Sequence, residues 1–243
     1  MFIRQFYQNK DAKVCFSRQQ ASDFAKNVAD DFNPLHDITA KRFCVPGDLL
    51  FSVILDKSGL NQEMSFTFSG MVTDANELYF PEDIQESASV IDDNDKAYLS
   101  VDVSGKNSRC ETLTESLVRS YVAFSGDTFP HILGDLMRKN SVMINPARPM
   151  VMYESMKIHL DTVDVKEVTL KFNEKETELV VDGKRGKARL VFDFNSNGET
   201  IGYGEKHMVL SGLREYDQEI MDAVYQQYMA MKEAYHKQQV VNA

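Results

Sequence analysis

An aspartate, an asparagine and a histidine crowd around a proline in the stretch DDFNPLHDITAKRF, from Asp30 to Phe43. Asp31 and His36 are five residues apart, and Pro34 fixes the backbone between them. A carboxyl and an imidazole that share one water can take a proton from it and deliver a proton elsewhere, provided both lie within hydrogen-bond reach. The same residues also suit a helix start, with Asn33 as N-cap, Pro34 at the first helical position and acids at the positive end. Capping accounts for Asn-Pro, but it gives no reason for a histidine at position 36. In a first helical turn the neutral imidazole is favoured, which suits an acceptor from water or a donor to it. The chemistry requires the two side chains to lie about 3–4 Å apart or to share a water.

A few residues on, RFCVPGDLLF leads into a second helix start. The run LLFSVIL, Leu49 to Leu55, is apolar on every side and ends at Gly59, so this helix is expected to be buried on every side. Unpaired backbone N–H groups at its beginning favour developing negative charge, and Gly47 has no side chain to keep a ligand away. Asp48 is a natural cap for the same N–H groups and would compete for them.

The elements that must position these residues follow a regular order. Ser17 and Gln20 form a capping box ahead of Ala21, Phe24, Ala25 and Val28 at helical spacing. After the buried helix come strand signals at Met64 to Val72, then ELYF, SASVID and KAYLSVDVSG. The order then repeats. Thr112 and Glu115 suggest another capping box, Leu113, Leu117, Val118, Tyr121 and Val122 have helical spacing, and HILGDLMRKN is a short helix. Strands are predicted at MVMYESMKIHL, EVTLKF, TELVVD, KARLVFDFN and TIGYGEKHMVLSG. A long helix is expected from Tyr216 to Gln238, packing the stripe Ile220, Val224, Tyr228, Met231 and Tyr235 against the body.

The repeat is also local. VADDFNPLH, ending at His36, and AFSGDTFPH, ending at His131, each place Asp, Pro and His after an amphipathic helix. The second copy has no Asn before Pro130, and its Asp127 and His131 are only four residues apart. It is expected to be structural. The chain thus divides into repeats at 1–110 and 111–243.

Composition narrows the function classes. The chain has 243 residues and a net charge of −10, which argues against a nucleic-acid partner. Its one basic cluster, Lys184 to Arg189, reads as a hairpin edge after an Asp182-Gly183 turn, or as a phosphate contact for a nucleotide-bearing ligand. No apolar run reaches the ~20 residues of a membrane span, and the first residues lack the apolar core of a signal peptide. A cytoplasmic protein with no membrane partner is expected. Cys15, Cys44 and Cys110 are far apart and read as reduced thiols, with no metal site.

The stretch Asp-x-Asn-Pro-Leu-His, Asp31 to His36, with Arg42-Phe43 and Pro46-Gly47 after it, resembles the signature of MaoC-like dehydratases and (R)-specific enoyl-CoA hydratases. The gap from His36 to Arg42 is shorter than is usual in that family, and Pro-Gly stands where the family usually has His-Gly. Phrases such as RFCVPGDLLF and VLSGLREYD are also similar to those of an uncharacterised bacterial family. The resemblance implies an α+β double hot-dog fold: two antiparallel sheets, each wrapped around a helix, with an added C-terminal helix. It implies hydration of a 2-enoyl thioester, or the reverse dehydration, by a lyase with Asp31 and His36 as the catalytic pair and the Gly47 amide as oxyanion donor. Asn33, Arg42 and Asp48 would be substrate-binding. No cofactor is implied beyond the coenzyme A or acyl-carrier part of the substrate, and a homodimer is one assembly open to it. A non-catalytic protein that binds an acyl thioester or another apolar ligand is the alternative.

Overall fold

Ser17 accepts a hydrogen bond from the Gln20 amide, and the Gln20 side chain accepts from the Ser17 amide, both at 3.1 Å. The predicted capping box therefore starts helix α1, Arg18–Asn27. The computed structural model describes residues 1–242, with side chains through residue 239. Before α1, the hairpin of β1 (Gln8–Lys10) and β2 (Lys13–Cys15) joins the later β4 (Glu77–Leu78) in a small three-stranded sheet.

Helix α2 spans Gly47–Ser58, and each residue from Leu49 to Leu55 is buried, as the apolar run predicts. Helix α3, Glu111–Gly126, lies beside it. Phe51 of α2 meets Tyr121 of α3 edge-on, with ring centroids 5.0 Å apart. The capping box expected at Thr112 and Glu115 does not form. The helix begins one residue earlier, after Cys110, without a side-chain cap.

The strands around these helices are β3 (Leu60–Phe68), β5 (Ser87–Ile91), β6 (Ala97–Ser108), β8 (Met150–Leu160), β9 (Thr169–Phe172), β10 (Glu178–Asp182), β11 (Arg185–Ser196) and β12 (Glu199–Ser211). They form an α+β arrangement with one antiparallel sheet where two were expected. The order is β10-β11-β12-β8-β3-β6-β5, with β9 also paired to β11. The strands on either side of α3 in the sequence meet where β3 pairs with β8, in the register Met64↔Ile158 and Phe66↔Met156. Two separate sheets would leave β3 and β8 as edges with unpaired backbone groups; joining them satisfies both. Met64, Phe66, Met156, Ile158, Leu190, Phe192 and Phe194 are buried against the helices. Each such side chain contributes roughly 1.5–3 kcal/mol.

Helix α4, Leu133–Lys139, is the predicted short helix, and β7 (Val142–Met143) pairs with β13 (Arg214–Glu215). The basic cluster is a hairpin on the sheet-edge strand β10, turning at Gly183 (φ +55°) and Lys184. The tail helix α5 runs over Gln218–Asn242. Its buried face keeps Tyr228 of the expected stripe, with Val224, Met231 and Tyr235 half-buried, but Ile220 is 41% exposed and Met221 is buried in its place. Among the described residues no helix is long and apolar enough to cross a membrane.

Candidate active site

The chain leaves α1 by a sharp turn. Asp30 adopts a left-handed conformation (φ +54°), which Asp tolerates better than most residues. The Asp31 amide then donates back to the Ala25 carbonyl at 2.8 Å. Phe32 is buried, and the Asn33 amide donates to Asp31 Oδ1 at 2.8 Å. Asn33 caps the short 3₁₀ helix Pro34–His36, its side-chain oxygen accepting from the Leu35 amide at 3.1 Å. The predicted capping turn is therefore present, and the candidate chemistry is built upon it.

His36 is held from the opposite side. Its Nδ1 lies 2.7 Å from the Cys44 carbonyl, while the Cys44 amide donates to the Leu35 carbonyl at 2.9 Å. A carbonyl oxygen only accepts, so Nδ1 carries the proton. In the neutral ring Nε2 is then the acceptor, and it stands 3.8 Å from Asp31 Oδ2. That gap is too long for a direct hydrogen bond and suits one bridging water. The His36 side chain is 12% exposed and that of Asp31 28%, so both are reachable from solvent. Burial is the main cause raising the Asp31 carboxyl above the ordinary carboxylate range, and the Asp48 carboxylate adds to the effect. His36, the Asn33 amide and Lys206 act in the opposite direction.

At the start of α2, Gly47 sits in a tightly packed place. A Cβ there would stand 3.0 Å from Tyr153 and 3.2 Å from Phe68, whose rings lie 4.2 Å apart. Asp48 does not cap the helix, contrary to the competition its position suggested. Its Oδ2 instead accepts from Ser125 on α3, and Ser125 accepts from the Lys206 ammonium on β12. Lys206 is only 4% exposed and lies over the Tyr153 ring at 4.3 Å. The Tyr121 and Tyr153 hydroxyls bond each other. Burial, reinforced by Asp48, raises both phenols well above their usual range. Asp48 Oδ1 is buried and has no partner among the described residues. This arrangement leaves the first amides of α2 uncapped.

Asn33 serves the turn. Arg42 is exposed and forms no hydrogen bond or ion pair among the described residues. The second copy repeats a spacing, with His131 Nε2 3.7 Å from Asp127 Oδ1, but these side chains are 44% and 63% exposed. Among the described residues no carbonyl fixes the His131 ring as Cys44 fixes His36. Two clefts, of ≈ 330 Å³ beside Pro130 and Tyr225 and of ≈ 490 Å³ beside Lys184 and Arg214, lie away from the Asp31–His36 pair. Among the described residues no group of three or more His, Cys, Asp or Glu is placed to hold a metal ion.

Sequence reasoning missed Tyr121, Ser125, Tyr153 and Lys206. One signal was available: Gly202, Gly204, Lys206 and Leu210 share the inward face of β12, so a lysine occupies an otherwise uncharged row.

A family model described as "Protein of unknown function (DUF3581)" matches residues 1–219. No curated protein matches the sequence. Among solved structures, a MaoC-like dehydratase aligns with 84% of this chain and 97% of its own at 8% identity, TM-score 0.43. An acyl-CoA thioesterase II from Mycobacterium marinum aligns with 88% of this chain and 99% of its own at 7% identity, TM-score 0.42. A tesB protein from Mycobacterium avium subspecies paratuberculosis aligns with 69% and 87% at 8% identity, TM-score 0.39.

Proposed function

We propose that this chain, which belongs to the DUF3581 family, is a double hot-dog protein that hydrates a 2-enoyl thioester or dehydrates the corresponding 3-hydroxyacyl thioester. The observation that carries the reading is the 3.8 Å gap between Asp31 Oδ2 and His36 Nε2, with Nδ1 anchored on Cys44. Residues 1–110 form the working repeat and 111–243 the degenerate one plus the tail.

In the hydration direction, His36 Nε2 accepts a proton from the bridging water as its oxygen bonds to C3. The C2=C3 π pair moves toward the thioester, and the carbonyl oxygen takes up enolate charge. The Asp31 carboxyl, biased toward its neutral form by burial, gives a proton to C2, and proton return from His36 to Asp31 resets the pair. The uncapped amides at Gly47 and Asp48 stabilise the enolate oxygen. Arg42 reaches the polar end of the ligand from the surface. Coenzyme A or an acyl carrier enters only as part of the substrate.

The test is loss of the conjugated-thioester absorbance of crotonyl-CoA and longer enoyl-CoAs, with Asp31→Asn and His36→Ala as controls. Inactive wild type at every chain length, or full activity in both variants, ends this reading. The packing of Tyr153 and Phe68 against Gly47 favours a second reading, in which the protein holds an acyl thioester or apolar ligand without converting it. Calorimetry with acyl-CoAs that shows stoichiometric binding without turnover would select it.

A further inference from the structure

Helix α5 fastens itself to one short segment. The Tyr228 hydroxyl accepts the Phe32 amide at 3.1 Å. The Phe32 ring is met edge-on by Tyr228, Tyr235 and His236, with centroids 5.6–6.2 Å apart. Lys232 and His236 both reach the Asp30 carboxylate. Tyr235 donates to the Asn27 side chain at 2.9 Å. Asp31 therefore has both chain neighbours, Asp30 and Phe32, tied to the tail helix.

We propose that Tyr228 is a positioning residue: by holding the Phe32 amide it sets where the Asp31 carboxyl stands relative to His36 Nε2. This rests on the reading of Asp31 and His36 as the working pair. A helix that only covers apolar surface would need the Phe32 ring contacts. It would not need a buried hydroxyl on the Phe32 amide, which belongs to the peptide that joins Asp31 to Phe32. Tyr228 is 5% exposed, and its hydroxyl serves that amide. Burial raises its phenol above the usual range, with the nearby Asp31 charge the second cause. His36 is anchored independently, on Cys44, so the separation of the pair depends on the Asp31 side of the turn.

The experiment uses the full chain with Tyr228→Phe, which keeps the ring and removes the hydroxyl. Tyr235→Phe is the comparison, since Tyr235 bonds a side chain and not the turn's backbone. Ring ¹⁵N spectra of His36 and steady-state kinetics on crotonyl-CoA are recorded for each. For Tyr228→Phe, the His36 Nε2 signal should move while Nδ1, on Cys44, stays. The kcat should fall by about ten- to a hundredfold with KM within about twofold, because small misplacements of a reacting group cost that much. Tyr235→Phe should change neither. Unmoved His36 signals in folded Tyr228→Phe overturn the proposal, as does equal loss in both variants. If Tyr228→Phe does not fold, hydrogen exchange of the Phe32 amide in the wild type decides instead: strong protection is expected from its bond to Tyr228, and exchange as fast as in an open turn overturns the proposal. If the wild type turns over no enoyl-CoA, the hydratase reading fails, and the spectra still decide the positioning role.

Discussion

The carbonyl oxygen of Ala29 occupies the space where a side chain on Gly126 would begin, 1.6 Å from an ideal Cβ. The end of α3 is thereby pressed onto the turn that carries Asp31. Ser125, the residue before Gly126, is the partner of Asp48. One glycine thus permits the contact that brings both acids to the same place.

Gly126→Ala should force these backbones apart. The expected loss is about 1–3 kcal/mol, the usual range for overpacking, and any activity should fall with it. Urea unfolding measures the first. Wild-type stability in this variant would refute the close approach.

Asp31→Asn should stabilise the protein at neutral pH. The folded carboxyl titrates above its unfolded value because it is buried. The stability linked to it is fully present below about pH 4 and is lost as pH rises through the folded pKa. Asparagine cannot ionise, so the variant should melt higher than wild type at pH 7–8 and match it near about pH 3. A variant that melts lower at neutral pH would show that the Asp31 charge is stabilised in place.

Lys206→Met should leave Asp48 buried without its cation. Removing one member of a buried charged set costs about 3–5 kcal/mol. Adding Asp48→Asn should recover part of that, and a thermodynamic cycle of the two substitutions reads their coupling through Ser125. Strict additivity would mean that the bridge carries no energy.

Thiol alkylation should separate the cysteines. Burial pushes the Cys44 thiol up to about 11, leaving about one thiolate in a thousand at pH 8. Cys110 is exposed at the start of α3. Mass spectrometry after brief treatment with iodoacetamide should find Cys110 modified and Cys44 intact. Rapid labelling of Cys44 in the folded protein would contradict its burial.

Much of the frame was legible because it rests on local rules. The Ser17–Gln20 box, the Asn33 cap and the all-round burial of α2 depend on neighbours within a few residues. The alternation of β11 and β12 needs only that one face be inside. What was illegible depends on distant partners. Thr112 and Glu115 have the capping pattern, but α3 starts at Glu111 without it. Tyr228 of the tail stripe is buried as its spacing suggests, but Ile220 is exposed and Met221 takes its place, a choice set by what α5 packs against. Two sheets were expected because pattern gives strands and not their neighbours; β3 found β8 about ninety positions away.

The candidate site divides along the same line. Sequence by itself determined the Asp31–His36 spacing, the proline between them and the glycine that opens α2, because these are properties of one short segment. Only the tertiary structure decided where the side chains turn. It placed Nε2 of His36 toward Asp31 by giving Nδ1 to Cys44. It drew Asp48 away from its own helix end, because Ser125 and the buried ammonium of Lys206 offer a better partner than the amides. Those choices are made by groups that the chain brings together from separate elements, and no local pattern encodes them.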